Sequence, residues 1–379
     1  MDGFDQGLHE FQRAQEARRH AAQWLAGFDA ALGARDAAAL AALFHEEAHW
    51  RDVLAFTWHV TPVAGRDAMV ARLLAEQPRV GAQGFHLPAG RKPPRHVKRL
   101  GTDCIEAIHE FATAVGRGAG IVRLSPGPDG TMRAWHISTT LQALHGHEER
   151  IGANRPTGAA YSRNFGGDNW ADMRRKAVAY DDRDPAVLVI GGAQAGLSVA
   201  ARLNQLGVDA LVVEKWPRIG DSWRKRYHSL ALHNSIHINH LPYMDFPPTW
   251  PTYIPKDMLG NWFEFYADVM EINCWTDTEF VHGAWDEREQ RWTARLKRSD
   301  GTERVLRPRH LVFCNGVSSY PMIPDLPGLP EFGGTVIHSE GFDSGAGWEG
   351  KRALILGTGS SANDIALDLH SHGVHTTLI

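Results

Sequence analysis

The segment from Ala186 to Glu214 constrains the fold of this chain more than any other part of the sequence. It opens with AVLVI, a continuous apolar and β-branched run that is typical of a central parallel strand covered on both faces. A glycine turn, an apolar helix and a second apolar strand follow, and Glu214 ends that second strand. The order of strand, glycine turn, helix, strand and acid predicts a Rossmann-type βαβ unit that binds a dinucleotide.

Individual positions of this unit have predicted tasks. Gly191 permits the tight turn, Gly196 lets the helix pack close to the strand, and the N–H groups of the helix N-terminus face a pyrophosphate. Glu214 would accept hydrogen bonds from ribose hydroxyls. Ala193 replaces the second glycine of the G-x-G-x-x-G pattern and weakens the motif. The residues predicted to contact the dinucleotide are Gly191, Ala193, Gln194, Ala195, Gly196, Glu214 and Lys215.

A second glycine turn follows the apolar strand at residues 353–356 and opens another helix. Its sequence reads G-x-G-x-x-A, and its predicted contact residues are Gly357, Gly359, Ser360, Ser361 and Ala362. The second strand of this unit, within VHTTLI, is the last element of the printed sequence. We therefore expect an incomplete second dinucleotide-binding domain and a chain truncated at its C-terminus.

The segment after the first acid indicates which dinucleotide the first unit binds. Gly220, Trp223 and several hydrogen-bond donors lie shortly after Glu214. An isoalloxazine needs a flat apolar wall and hydrogen bonds at its edge, so this segment favours FAD over NAD at the first site. A surface loop with a buried tryptophan is the alternative.

Longer strings carry a family resemblance. GDSWRKRY, LALHNSIHINHLPYMDFP and TYIPKDMLGNWFEFYA follow the first unit, and a fingerprint F-x-G-x-x-x-H-x-x-x-[YF] precedes the second. The fingerprint positions are Phe332, Gly334, His338 and Phe342. These motifs resemble the class B flavin-containing monooxygenase family, and in particular its indole-pyruvate monooxygenase-like branch.

The resemblance implies an enzyme that uses FAD, NADPH and O2 to oxygenate a small organic substrate through a flavin C4a-hydroperoxide. It places Trp223 and His233 at the flavin, Asn234 as the candidate catalytic residue, and Gly316 in the turn between the two cofactor domains. Simple packing against the flavin is the alternative for His233 and Asn234. Cys314 lies in an apolar strand and is predicted to be a small buried residue rather than a nucleophile.

The first 150 residues show a different pattern. Helical periodicity from Leu8 to Leu32 and a helix capped by Asp36 precede predicted strands over 104–115, 121–124 and 132–141, so we expect an α+β unit with an antiparallel sheet. The glycine- and proline-rich residues 126–130 predict a hairpin turn between the last two strands. The order of elements resembles the NTF2-like, or SnoaL-like, cone-shaped fold. His45, His49 and Asp52 could lie inside such a cone as catalytic groups, or His49, Trp50 and Asp52 could be packing residues at the start of a strand.

The predicted organisation is an NTF2-like domain at 1–150, a linker at 151–184, an FAD-binding domain at 185–350 and the beginning of an NADPH-binding domain at 351–379. Within the linker we expect one short helix, from Trp170 to Ala179. The formal net charge of −4 argues against nucleic acid and membrane surfaces as partners. Three cysteines without metal-ligand spacing indicate free thiols, no metal site and a cytoplasmic protein. We expect a homodimer formed through the N-terminal domain.

Two other functions remain open from the sequence. The first is a flavoprotein NAD(P)H oxidoreductase that moves hydride without oxygenation. The second is an inactive truncated remnant that acts as an assembly module. The fingerprint from Phe332 to Phe342 favours the monooxygenase over the hydride carrier.

Overall fold

The computed structural model describes residues 2–157, 165–316 and 320–379. The chain divides into two compact units, residues 1–148 and 149–379. The first unit contains three helices and seven strands, in the order α1 (Asp2–Ala34), α2 (Ala37–Ala42), β1 (Phe44–Val53), β2 (Val60–Ala64), α3 (Arg66–Val80), β3 (Gln83–His86), β4 (Arg95–Arg99), β5 (Thr102–Ala112), β6 (Gly116–Pro126) and β7 (Met132–Leu144).

The strands of the first unit form one mixed sheet in the order β2-β1-β7-β6-β5-β3, with β4 also pairing with β5. The antiparallel pairing of β5, β6 and β7 agrees with the sequence prediction, but β1 runs parallel to β7. The prediction of a purely antiparallel sheet was therefore wrong. The pairing of β1 with β7 joins residues far apart in the sequence, such as Trp50 and Ile137, so no local pattern indicates it. The Asp36 cap is confirmed, since its carboxylate accepts from the N–H groups of Ala38 and Ala39.

All three helices of the first unit pack on one face of the sheet. Aromatic side chains from the helices and the strands contact one another in this core, among them Trp24, Phe28, Phe44 and Phe85. Its largest fully buried side chains are Phe28, Phe44, Trp50 and Phe56. Burial of rings of this size is the main source of stability in such a unit.

Asp52 lies within that core and is fully buried. Its Oδ2 accepts from the N–H and the hydroxyl of Thr57, both at 2.8 Å, and its Oδ1 accepts from the hydroxyl of Thr139 at 2.7 Å. The N–H of Phe56 donates to the same carboxylate, and Thr139 Oγ1 in turn accepts from Trp50 Nε1. Because these bonds use both oxygens, Asp52 is a satisfied structural residue that closes the turn after β1.

The two histidines predicted beside Asp52 lie elsewhere. His49 is exposed, and His45 is half-buried with its Nε2 within 3.0 Å of Ser125 Oγ. Neither contacts the Asp52 carboxylate, because side chains alternate between the two faces of a strand and the odd-numbered positions of β1 face away from the core. The packing interpretation therefore agrees with the structure for Trp50 and Asp52, which are buried, but not for His49, which is exposed.

The first α-helix of the second unit is α4 (Trp170–Ala179), which lies inside the segment predicted as a linker. Residues 158–164 of that segment lie outside the described residues. Helix α4 is fixed to the strand at 273–275, since Arg174 donates to Asn273 and the indole of Trp275 donates to the carbonyl of Val178. The remaining elements are β8 (Val187–Ile190), α5 (Gln194–Gln205), β9 (Ala210–Val213), α6 (Asp221–Arg224), α7 (Lys256–Val269), β10 (Asn273–Trp275), β11 (Thr278–Asp286), β12 (Arg291–Arg298), β13 (Glu303–Leu306), β14 (His310–Phe313), β15 (Arg352–Ile355), α8 (Ser360–Ser371) and β16 (His375–Leu378).

A parallel sheet in the order β10-β9-β8-β14 forms the centre of the second unit, with an antiparallel sheet β11-β12-β13 beside it. The two predicted strands are found at Val187–Ile190 and Ala210–Val213, and α5 connects them. This connection and the strand order confirm the Rossmann-type βαβ unit. Strands β15 and β16 pair in parallel around α8 and form a second βαβ opening.

Helix α8 is held by an apolar cluster that joins distant parts of the second unit. Tyr227 and Leu230, from the segment after α6, pack with Phe342 of the fingerprint and with Ile365 and Leu369 of α8. Of the two fingerprint phenylalanines, Phe342 is therefore a core residue that packs against the second βαβ opening, whereas Phe332 is exposed. None of the described helices has both the length and the apolar character that crossing a bilayer requires.

Candidate functional site

The first glycine turn is built by close backbone contacts. Gly191 has φ +105°, and a Cβ at this position would lie 2.6 Å from the carbonyl oxygen of Cys314. A Cβ on Gly196 would lie 1.9 Å from the carbonyl oxygen of Gly191. Both glycines are therefore required by the turn, as the sequence predicted: one for its positive φ and the other for the approach of α5 to β8.

Ala193, which departs from the three-glycine pattern, is accommodated without strain. It is the N-cap of α5 in an extended conformation, φ −101° and ψ −162°, which any L-residue adopts. Its methyl side chain offers no acceptor to the first N–H groups of α5. These groups are therefore left for a bound anion, and the positive end of the helix dipole adds to the attraction.

Glu214 closes the turn from the next strand. The side chain is buried, its Oε2 accepts from the N–H of Gly192 at 2.8 Å, and its Oε1 accepts from the N–H of Trp216 at 3.1 Å. A carboxylate has about four acceptor positions, so two remain for other donors. The pair of ribose hydroxyls of an adenosine matches this arrangement, and the residues present therefore fit the nucleotide end of FAD.

A cavity of about 530 Å³ lies at the N-terminus of α5. It brings together four residues predicted to bind the cofactor and the candidate catalytic residue, from three separate segments: Gln194, Ala195, Trp223, His233 and Asn234. Apolar side chains complete the wall: Leu232, Ile238, Leu241, Leu259 and Phe263. An apolar wall with a few polar groups is typical of a cofactor site.

Hydrogen bonds fix the polar groups of this cavity. The indole N–H of Trp223 donates to Oε1 of Gln194 at 3.2 Å, which ties the ring to the first turn of α5. The side chain of Asn239 donates to the backbone carbonyls of Asn234 and Ser235 at 2.9 and 3.0 Å. The segment that carries His233 and Asn234 is therefore shaped by its own hydrogen bonds, and no sequence motif had indicated Asn239.

Other predicted residues lie close to the turn without lining the cavity. Gly220 has φ +90°, and a Cβ there would lie 2.1 Å from the carbonyl oxygen of Gly260, so it brings α6 against α7. Lys215 is exposed, with its ammonium 5.0 Å from the ring centre of Trp216. The structure therefore assigns Gly220 a packing role and places Lys215 on a neighbouring indole.

The end of β14 lies beside the first glycine turn. The N–H of Cys314 donates to the carbonyl of Ile190 at 2.7 Å, and Gly316 follows with φ +83°. Burial raises the pKa of the Cys314 thiol. A thiol of raised pKa is a poor nucleophile, in agreement with the sequence interpretation.

The second glycine turn is more open than the first. Gly357 has φ +116°, Gly359 is the N-cap of α8, and a Cβ on either would meet no atom within 4 Å. Ser360, Ser361 and Ala362 form the first turn of α8. Gly359 provides no side-chain cap for α8. The first N–H groups of α8 can therefore donate to a phosphate, as those of α5 can.

Asp364 is a site residue that sequence reasoning missed. Its Oδ2 accepts from the hydroxyl of Tyr227 at 2.7 Å and from Nε2 of His233 at 2.8 Å. Burial, and then the hydrogen bond to Asp364, raise the pKa of Tyr227. In the sequence, Asp364 is only an acid in the second turn of the helix that follows the second glycine motif. Such a position does not indicate a hydrogen-bond partner.

A larger open groove of about 1080 Å³ lies between α4, α7 and β10. It contains none of the predicted cofactor residues, and its guanidinium groups have other contacts: Arg218 pairs with Glu264, and Arg304 lies against the ring of Trp275. We assign the site to the smaller cavity because that cavity adjoins the uncapped helix N-terminus. Within the described residues, no group of three or more His, Cys, Asp or Glu side chains is placed to hold a metal ion.

The parallel order β10-β9-β8-β14, with a glycine turn between β8 and α5, defines the second unit as a Rossmann-type dinucleotide-binding protein. The model of the flavin-binding monooxygenase-like family matches residues 185–379, which is half of the chain. The chain belongs to that family, and flavin is the cofactor of the family.

Known relatives match the same half. Indole-3-pyruvate monooxygenase YUCCA1 of rice is 34% identical over 196 residues, covering 52% of this chain and 47% of that protein. Probable indole-3-pyruvate monooxygenase YUCCA9 of Arabidopsis thaliana is 34% identical over 194 residues, covering 51% and 46%. A flavin-containing monooxygenase from Stenotrophomonas maltophilia has a TM-score of 0.47 and 22% identity, covering 52% of this chain and 57% of that one. The chain spans about half the length of the curated relatives it matches.

Proposed function

We propose that this chain is the cofactor-binding part of an FAD- and NADPH-dependent monooxygenase that acts on a small organic substrate. The observation that carries the proposal is the cavity at the N-terminus of α5, where Trp223, His233 and Asn234 meet the glycine turn. Family membership and the relatives that are indole-3-pyruvate monooxygenases support oxygenation, with a 2-oxo acid or a soft heteroatom as the substrate class.

Each part of the site has a proposed task. The N–H groups of α5 bind the pyrophosphate of FAD, and Glu214 orients the ribose. Trp223 and the apolar wall exclude water from the flavin ring, and the side-chain amide of Asn234 offers a donor and an acceptor at its edge. Bound flavin supplies hydride acceptance and the activation of O2, so the protein need not provide a nucleophile. The N-terminus of α8 binds the phosphates of NADPH.

The first experiment titrates FAD into the purified full chain and records flavin absorbance and fluorescence. We expect saturable binding that is weakened about tenfold in Glu214→Gln. The backbone N–H groups of Gly192 and Trp216 donate to the two oxygens of Glu214, and in glutamine one of these oxygens is replaced by an NH2 group that cannot accept. Glu289→Gln, which changes an exposed acid, is the matched control and should bind as the unchanged chain does. A chain that cannot be loaded with FAD contradicts the proposal.

Cofactor turnover separates oxygenation from hydride transfer. With the FAD-loaded chain, NADPH consumption and peroxide release are measured with and without 2-oxo acids and thioethers. Oxygenation predicts that a substrate lowers the peroxide released per NADPH consumed. Peroxide release that no substrate changes would instead support the oxidoreductase without oxygenation.

We propose further that the first unit has an NTF2-like fold and forms a homodimer through the free face of its sheet. Support comes from the packing of the helices against one face of the sheet and from the hydrogen bonds that occupy the Asp52 carboxylate inside this core. Ile108 and Ile121 pair across β5 and β6 at positions that alternate with core residues, and Glu106 and Arg123 pair beside them at 3.0 Å. Apolar side chains with paired charges at their border suit an interface between identical copies.

Light scattering of the full chain tests this interface. We expect a dimer for the unchanged chain and a monomer for Ile121→Glu, because a carboxylate on each copy would be buried against its equivalent. Leu100→Glu, in the exposed turn between β4 and β5, is the matched control and should remain dimeric. A monomeric unchanged chain, or equal loss of the dimer in both variants, would reject the interface.

A further inference from the structure

We propose that Asp364 is a positioning residue, which holds His233 at the edge of the flavin cavity in the tautomer that presents Nδ1 as an acceptor. The identity of the cavity's ligand rests on the proposed function, whereas the tautomer is a property of the chain alone. Asp364 lies in α8, after the second glycine turn, and His233 lies in the segment that lines the first site. The contact therefore joins the two nucleotide sites.

The geometry fixes both partners to one oxygen. Oδ2 of Asp364 lies 2.7 Å from the hydroxyl of Tyr227 and 2.8 Å from Nε2 of His233. Tyr227 is buried in the cluster that packs α8 against the segment after α6, and its partners there include Phe342 and Ile365. The buried phenol and the His233 imidazole therefore donate to the same carboxylate oxygen.

The chemistry of the pair decides which ring nitrogen carries the proton. A carboxylate oxygen only accepts hydrogen bonds, so Nε2 of His233 must be the donor. In a neutral imidazole the other nitrogen, Nδ1, is then an acceptor. Among the described residues Nδ1 of His233 has no hydrogen-bond partner, and the side chain is 45% exposed where it lines the cavity.

An acceptor of this kind selects a ligand group. A hydroxyl or an imide N–H can donate to Nδ1, and a flavin with its ribityl chain carries both types of donor. A histidine free to change tautomer would present a donor at the same place for part of the time and would lose this preference. Asp364, on the helix that begins at the second glycine turn, thus determines which hydrogen-bonding group His233 presents to the first site.

Nitrogen NMR of the full chain with ¹⁵N-labelled histidine tests the tautomer without any cofactor. The signals of His233 are assigned by their absence in His233→Gln. We expect the unchanged chain to show a protonated Nε2 and an unprotonated Nδ1 at a pH where the ring is neutral. In Asp364→Asn we expect a mixture of tautomers, because an amide of the same shape can donate to Nε2 as well as accept from it.

Two control variants separate positioning from a merely structural effect. Asp368→Asn changes the next acid of α8, whose carboxylate accepts from the N–H of Gly345, and should leave the His233 tautomer unchanged. Tyr227→Phe removes the second donor to Oδ2 and should keep Nε2 protonated. The same tautomer in Asp364→Asn and in the unchanged chain, or an equal change in Asp368→Asn, would overturn the proposal.

FAD titration supplies the second measurement. We expect Asp364→Asn to bind FAD about two- to tenfold more weakly than the unchanged chain and Asp368→Asn to bind equally well, since the loss of one oriented acceptor is worth about one hydrogen bond. Equal FAD affinity in Asp364→Asn and the unchanged chain would overturn the link to the cofactor. If the unchanged chain binds no FAD, the proposed function fails, while the NMR result still decides the role of Asp364.

Discussion

Replacing Gly196 by valine should weaken FAD binding by on the order of 100-fold or abolish it. The Cβ alone would lie 1.9 Å from the carbonyl oxygen of Gly191 and 3.3 Å from a methyl group of Val189, so the helix must move away from the strand. Overpacking against backbone costs about 1–3 kcal/mol or more. Here the displacement falls on the N–H groups for which we propose pyrophosphate binding. Fluorescence titration with FAD measures the loss.

Gly341→Val is the matched control for this substitution. Gly341 belongs to the same unit, and a Cβ there would meet no atom within 4 Å. We expect this variant to bind FAD with unchanged affinity and to fold as the unchanged chain does. Equal affinity in Gly196→Val would show that the turn does not hold a pyrophosphate. Circular dichroism of both variants separates loss of binding from loss of the fold.

Asp52→Ala should destabilise the first unit by about 3 kcal/mol or more. The substitution leaves the N–H groups of Phe56 and Thr57 and the hydroxyl of Thr139 without the acceptor that satisfies them in a fully buried position. Each buried donor without a partner costs about 1–3 kcal/mol. Hydrogen exchange measured by mass spectrometry detects this local destabilisation, and we expect the amides of β1 and β7 to exchange faster in the variant.

Asp36→Ala provides the comparison for Asp52. Asp36 also accepts from two backbone N–H groups, but it is an exposed N-cap, and water can replace it. We expect a loss of about 1 kcal/mol, the usual effect of removing such a cap. If the two variants exchanged at the same rate, the buried network around Asp52 would contribute no more than a surface cap.

Local sequence sufficed for the first nucleotide unit, where every required feature lies within about 30 residues. The strand, the glycine turn, the helix and Glu214 follow one another along the chain, and steric limits on the backbone allow few other arrangements of such a pattern. The helix Trp170–Ala179 was likewise predicted at its observed bounds, since Asn169 and Asp172 form a capping box.

The sheet of the first unit could not be predicted to the same extent. The turn between β6 and β7 contains glycine and proline residues that identify a hairpin, and that hairpin was predicted. The parallel pairing of β1 with β7 joins residues about 90 positions apart, such as Trp50 and Ile137, and leaves no local signal. Pairing of this kind depends on which faces are buried, and burial is a property of the whole unit.

The sequence by itself determined the Rossmann-type unit, the positions of both glycine turns and the acid at the end of β9, because backbone sterics and helix dipoles act over a few residues. Tertiary structure alone decided that Asp52 is a structural residue, that Lys215 lies on an indole and not at the cavity, and that Asp364 meets His233. The contacts of Asp52 with Thr139 and of Asp364 with His233 join residues that are distant in sequence. Only packing of the complete unit brings a carboxylate of one helix within 2.8 Å of an imidazole from another segment.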